Sequence, residues 1–325
     1  MNVNFVKQIE RKCISNLAFD FIFCASGFES RCIHIISQLD WSINDAAKKI
    51  CFSFSDRIAP SKKRADELFF SQGFRFFPAD TNNIIDYTNI YHDLFLGSKK
   101  TRLKILFDYS CMTTIMYASI LKYFKDFSSH FDEVEIYFSY TQAKYIDPGK
   151  SKPLFFNQPI PLFDPIQSTD KKIALLIGLG YEEDKALGLH EYFQNDDKDM
   201  YLFITGKVSS SEFFEKVRKN NEKLIKITKP ENIIYYDLAN ISPLLSTMET
   251  LINYLISTNY RVVVAPIGPK VFSLASLLVN LVHKEVTTYR LSDGKMAEPL
   301  DKIPDLGKDL IVTLLNFTNE KSELF

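Results

Sequence analysis

Three clusters in this 325-residue chain carry residues able to do chemistry, and each follows an apolar, strand-like run. The first is Gly27-Phe28-Glu29-Ser30-Arg31. Gly27 permits a tight strand-to-helix turn, and Glu29 and Arg31 then stand at a helix start, where backbone N–H groups can receive an anion. The second is Asp108-Tyr109-Ser110-Cys111-Met112-Thr113-Thr114. Here a carboxylate closes a strand, Ser110 is a cap for the next helix, and Thr113 and Thr114 add hydroxyls to its first turn. The third is Pro266-Ile267-Gly268-Pro269-Lys270, running on to Ser273. Gly268 allows a sharp turn, and Lys270 falls at a helix start, where the macrodipole disfavours a cation. A lysine placed against that preference suits a phosphate. Gly180-Tyr181-Glu182 repeats the Gly-aromatic-Glu pattern of the first cluster.

Each cluster also has a plainer reading: a turn glycine, a helix cap and charged surface residues. On the chemical reading, Glu29, Asp108 and Glu182 are the acid–base candidates, provided burial raises their pKa. The ligand-binding set is Gly27, Glu29, Arg31, Ser110, Thr113, Thr114, Gly180, Gly268, Lys270 and Ser273. The run GLGYEE lacks the third glycine of a dinucleotide fingerprint, and GxxxxGK[ST], HExxH, GxSxG and EF-hand patterns are absent from the sequence. The five cysteines form no CxxC pair, and the five histidines are dispersed. No metal site and no cofactor is therefore expected, beyond a possible nucleotide ligand.

The elements that must position these clusters occur twice. FIFCASGFESR (21–31) has a counterpart in IALLIGLGYEEDK (173–185), and ICFSF (50–54) in MYLFI (200–204). LKILFDYSCMTTIMYASIL (103–121) matches VVVAPIGPKVFSLASLLV (262–279), and EIYFSY (135–140) matches VTTYRL (286–291). Gly27 falls on Gly180 and Ala118 on Ala275 at a nearly constant offset, the mark of a duplicated unit. Continuous apolar strands alternating with helices predict an α/β fold: two tandem Rossmann-like units with mostly parallel sheets, made by internal duplication. Residues 18–145 should superpose on 170–292. Pro148, Pro153, Pro159, Pro161 and Pro165 exclude a helix or inner strand. The expected domains are therefore 1–150, a Pro-rich linker at 151–169, and 170–325 with a C-terminal extension. Residues 209–226 read as an amphipathic helix, and 240–257 as another with Ser242 as N-cap and Pro243 following. Residues 308–317 read as a final helix, with a strand as the alternative.

With 39 basic and 40 acidic residues the net charge is −1, which argues against strong binding of nucleic-acid polymers but leaves room for a local anion site. Scattered, unpaired cysteines point to a reducing, cytoplasmic setting. No signal-like start and no apolar run of membrane-spanning length is visible, so no membrane partner is expected.

A strand, a turn bearing hydroxyls or Gly-x-Lys, and a small-residue apolar helix together resemble the nucleotide-sensing turn of CARF-type Rossmann-like domains. Those domains carry a Gly-Gly-Thr-Lys-like turn and bind cyclic oligonucleotide messengers. Two such units in one chain resemble the SAVED domains of bacterial antiphage signalling. Gly268 and Lys270 carry the match, with Ser110, Thr113 and Thr114 more loosely. Pro269 departs from it by replacing a hydroxyl residue, and the first half has no lysine in its turn. The resemblance implies a nucleotide-binding regulatory subunit of prokaryotic antiviral defence, acting through a protein effector partner. Two alternatives stay open: an enzyme hydrolysing or transferring a nucleotide or glycosidic group through its strand-end carboxylates, and a protein-interaction scaffold.

Overall fold

FIFCAS at 21–26 and IALLIG at 173–178 are buried at every position, as strands covered on both faces must be. Each is the middle one of the five parallel strands of its own sheet. The computed structural model describes residues 1–55, 59–79, 83–147, 156–165, 170–182, 184–193, 197–206, 211–292 and 300–319. The chain divides into two units, Met1–Ile146 with Pro299–Phe325, and Asp147–Glu298.

The first unit runs β1 (Asn2–Ile9), α1 (Lys12–Ser15), β2 (Phe21–Ser26), a 3-10 helix (Ser30–Gln38), β3 (Lys48–Ser53), α2 (Pro60–Ser71), β4 (Arg75–Pro78), α3 (Ile84–Leu96), β5 (Arg102–Asp108), α4 (Thr114–Asp126) and β6 (Glu133–Tyr140). The second runs β7 (Phe156–Pro159), β8 (Ile173–Gly178), α5 (Lys185–Tyr192), β9 (Lys198–Thr205), α6 (Ser211–Asn220), α7 (Glu222–Ile227), a 3-10 turn (Pro230–Asn232), β10 (Ile233–Tyr236), α8 (Ile241–Ser257), β11 (Arg261–Pro266), α9 (Lys270–Val282) and β12 (Thr287–Ser292). The chain then returns to the first unit as β13 (Ile311–Thr318).

The sheet orders are β1-β13-β6-β5-β2-β3-β4 and β10-β9-β8-β11-β12-β7. In chain order the five parallel strands of each unit stand 3-2-1-4-5, so the two halves share one topology. Side-chain faces agree as well. Ile22, Cys24 and Leu106 pack with the 3-10 helix and α2, whereas Leu175, Ile177 and Val263 pack with α5 and α6. Matching Gly27 to Gly180 and Asp108 to Ala265 brings these sets onto one another, and a slip of one residue would invert them.

The opposite face of the first sheet is an aromatic core. Phe95 of α3 lies 4.6 Å from Phe21, 6.1 Å from Phe23, 5.4 Å from Tyr123 and 5.1 Å from Phe124, ring centre to ring centre. Phe52 and Phe107 join the same layer, so many of the sequence's phenylalanines serve this one core.

Several expectations are corrected. Residues 308–317 do not form a helix: Ile311–Thr318 is a strand, antiparallel to both β6 and β1. It is buried on both faces, so its apolar positions show no period that separates helix from strand. The C-terminal segment therefore completes the first unit and does not extend the second. The linker expected at 151–169 contains edge strand β7, antiparallel to β12. An edge is where a strand ending in proline fits; residues 151–155 and 166–169 lie outside the described set. The second unit begins at Asp147, not at 170. The helix read over 209–226 is two, α6 and α7, meeting at Asn221. The cap of α8 is Asn240, whose side chain accepts from the Ser242 N–H, so Ser242 lies inside the helix.

Candidate functional site

In the first unit the strand order reverses between β2 and β5, and ligand crevices of open α/β sheets form outside such reversals. Glu29 occupies the cap position of the 3-10 helix in an extended conformation. Its Oε2 accepts from Arg31 Nε at 2.7 Å, and Oε1 lies 3.5 Å from Lys302 Nζ. Arg31 is only 3% exposed. It donates through NH1 to the Tyr140 hydroxyl at 3.3 Å and to the Thr141 carbonyl at 3.1 Å, and its guanidinium lies 5.4 Å from the Tyr140 ring centre. Burial works against the Arg31 charge, but Glu29, Tyr140 and Cys111 together outweigh it and the guanidinium pKa rises well above its ordinary value.

Asp108 ends β5, on the face of Leu106. Its Oδ1 accepts from the Ser110 N–H at 2.8 Å and from the Ser110 hydroxyl. Ser110 Oγ in turn accepts from the Thr141 N–H at 2.8 Å. Ser110 therefore fastens the ends of β5 and β6 together and does not cap α4. The cap position belongs to Thr113, without a side-chain cap bond, while Thr114 Oγ1 accepts from the Tyr117 hydroxyl at 3.0 Å. Thr141 links the two groups, so Glu29, Arg31, Ser110 and Asp108 stand in one hydrogen-bonded chain. Cys111 Sγ sits 3.6 Å from Glu29 Oε2, and burial pushes its thiol pKa well up, helped by Cys32 and Glu29.

The helix start that the sequence offered to an anion is taken by the chain itself. Asp301 accepts from the Ser30 N–H and from the Ser30 hydroxyl, both at 2.6 Å. The Arg31 N–H donates to the Lys302 carbonyl. Gly27 does not need its conformational freedom: a Cβ there would meet Phe54 at an ordinary 3.5 Å. Sequence reading missed Asp301, because 270 residues of chain separate it from its partner and no local pattern marks it. It also missed Lys62, which donates to Ser53 Oγ at 3.0 Å and to Asp66 at 2.5 Å, while Ser26 bonds the other Asp66 oxygen. The Lys62/Asp66 spacing of four was the available signal.

In the second unit the reversal lies between β8 and β11. Here the glycines serve backbone contact. A Cβ on Gly180 would lie 2.7 Å from the Ile267 carbonyl oxygen, and one on Gly268 would lie 2.5 Å from that of Leu179. The two loops close on each other, so a side chain at either position would meet the backbone of the facing loop. Asn221 holds the Gly180 carbonyl at 2.9 Å, and Glu182 pairs with Lys185 at 2.7 Å. Lys270 is half-buried at the first position of α9, and Ser273 is buried one turn on. The first-turn N–H groups of Phe272 and Ser273 reach only the Pro269 carbonyl.

A Cβ on Gly178 would stand 2.2 Å from the Phe272 ring. That ring is itself confined by Phe203 at 5.3 Å and Tyr236 at 5.9 Å. Gly178→Ala is expected to destabilise the second unit by about 1–3 kcal/mol. In a Phe272→Leu background the cost should fall, and urea midpoints of the four proteins measure that coupling.

A cavity of about 870 Å³ opens at the other end of the first sheet, between Asp20, Lys48, Lys100, Lys104 and Glu135. It contains none of the candidate residues. Among the described residues, no group of three or more His, Cys, Asp or Glu is placed to hold a metal ion, and no helix is long and apolar enough to cross a membrane.

No protein-family model matches this chain, and no curated protein matches it. Among solved structures it is similar to a functionally unknown protein, PA1789 of Pseudomonas aeruginosa PAO1, at 10% identity over 89% of this chain and 94% of that one, with a TM-score of 0.23. A likeness of that size carries no argument about function.

Proposed function

We propose that this protein binds a nucleotide-class anionic ligand at the carboxyl-end crevice of its second unit and acts as a regulatory sensor. The observation that carries the reading is Lys270. It stands in the first turn of α9, beside the β8/β11 reversal, where an α/β sheet ordinarily receives a ligand. The first-turn N–H groups and a lysine ammonium together suit a phosphate. Thr205, which ends β9 in register with Tyr236, adds a fully buried hydroxyl that has no hydrogen-bond partner among the described residues. A buried hydroxyl in that state at a strand end favours an external partner.

Catalysis is the weaker reading, because each carboxylate offered for acid–base work is committed within the fold. Glu29 serves Arg31 and Lys302, Asp108 serves Ser110, and Glu182 serves Lys185. A protein effector and a place in antiviral defence belong to the same proposal. Their support is the likeness of the Gly268-Pro269-Lys270 turn to nucleotide-sensing turns.

Mass spectrometry of small molecules released from the purified protein tests the reading first, and calorimetric titration with linear and cyclic oligonucleotides tests it second. Lys270→Ala should weaken binding by about 1.5–3 kcal/mol, the range for hydrogen bonds to a charged group, with little change in thermal stability. A nucleotide-free extract and no heat from any oligonucleotide would remove the proposal. Equal affinity of wild type and variant would remove Lys270 from the site.

A further inference from the structure

The segment Leu300–Asp305 joins the first unit at the carboxyl ends of its strands, and it is held there almost wholly by polar contacts. Asp301 takes two bonds from Ser30, and Lys302 takes one from the Arg31 N–H while its ammonium faces Glu29. Lys144 N–H donates to the Ile303 carbonyl, Asp305 N–H donates to that of Gln142, and Ala143 bridges to Pro304. Its apolar side chains do not anchor it: Leu300, Ile303 and Leu306 are all exposed. Beyond it, β13 is buried along nearly its whole length. A segment with many solvent-accessible polar bonds and no buried apolar side chain opens at lower free energy than the sheet beside it.

Glu29 is shared between the segment and the strand ends. One carboxylate oxygen faces Lys302 and the other faces Arg31 and the half-buried Cys111. Lifting the segment withdraws Lys302 from Glu29 and Asp301 from Ser30, and Glu29 is the residue that both Arg31 and Cys111 touch. We propose that Leu300–Asp305 is a latch that closes the first unit's crevice, fastened by Asp301 on Ser30 and by Lys302 on Glu29. Released from the latch, the Ser30 and Arg31 N–H groups stand open beside the position the Asp301 carboxylate now takes, which fits an anionic group that competes with that carboxylate. The inference does not rest on the nucleotide reading of the second unit, and its test does not use that site.

The reporter is Cys111, labelled with N-ethylmaleimide in the full-length native protein and followed by peptide-resolved mass spectrometry. Asp301→Ala should label Cys111 roughly five- to tenfold faster than wild type, the scale set by losing one helix cap. Cys24 and Cys51, buried in the sheet, should stay protected. In wild type, added sodium chloride should speed Cys111 labelling, since the Lys302–Glu29 contact is screened, and that measurement stands even if the variant fails to fold. Millimolar inorganic pyrophosphate, as a competing anion, should speed it beyond the effect of salt at equal ionic strength. An unchanged Cys111 rate in Asp301→Ala, or no response of wild type to salt, overturns the latch. Simultaneous exposure of Cys24 and Cys51 overturns it too, because opening would then be unfolding of the whole unit.

Discussion

Arg31→Leu is expected to destabilise the first unit by about 3–5 kcal/mol, because it leaves a nearly buried carboxylate without its main partner. Glu29 is 13% exposed, and Arg31 Nε and NH2 both stand 2.7 Å from its Oε2. The same change removes two further donors, to the Tyr140 hydroxyl and the Thr141 carbonyl. Lys302 remains, but at 3.5 Å and on the other carboxylate oxygen, so it compensates only in part. Adding Glu29→Leu should restore much of the loss, since a buried pair replaced on both sides by apolar groups is often close to neutral. Urea denaturation of the two single variants and the double variant measures this. If the double variant is as unstable as Arg31→Leu, the cost comes from the Tyr140 and Thr141 bonds and not from the stranded charge.

Phe95→Ala should cost a similar about 3–5 kcal/mol, for a different reason. The ring is fully buried and touches rings from β2, α4 and the loop after α4. Removing it opens a cavity lined by rigid aromatic side chains, which collapse poorly. Phe95→Leu, which keeps most of the volume, should cost well under half as much. Each unit has its own core, so the loss should appear in the unfolding transition of the first unit and leave that of the second in place. Calorimetric scans of the three proteins check this, and an equal shift of both transitions would mean that the units unfold as one.

Much of the fold is legible along the chain. FIFCAS, LKILF, IALLIG and VVVAP are long enough and branched enough to be strands covered on both faces. Their nearly constant spacing announces two units, and the shared 3-2-1-4-5 order agrees. Glu29 and Asp108 also join one hydrogen-bonded chain, through Arg31, Thr141 and Ser110, at the strand ends of one sheet. What local pattern misjudged are the roles. Ser110 looks like a helix cap because it precedes a helix, yet its hydroxyl is used by Asp108 and Thr141, and Thr141 follows β6, beyond the local sequence. Gly180 and Gly268 are read as turn glycines of a ligand site, and the sequence does not show that each has the other's loop lying against it.

The C-terminal strand shows the division most clearly. Spacing and composition establish the alternation of strands and helices and the duplication, because periodicity and apolar runs are properties of neighbouring residues. They cannot assign IVTLLNFT, since a segment buried on both faces has no solvent face to reveal, and only insertion between β1 and β6 makes it a strand of the first sheet. That return of the chain also brings Asp301 and Lys302 onto Ser30 and Glu29. Contacts between residues so distant in sequence are set by which sheet edge is open to receive a strand, a property of the folded unit and not of any stretch of the chain.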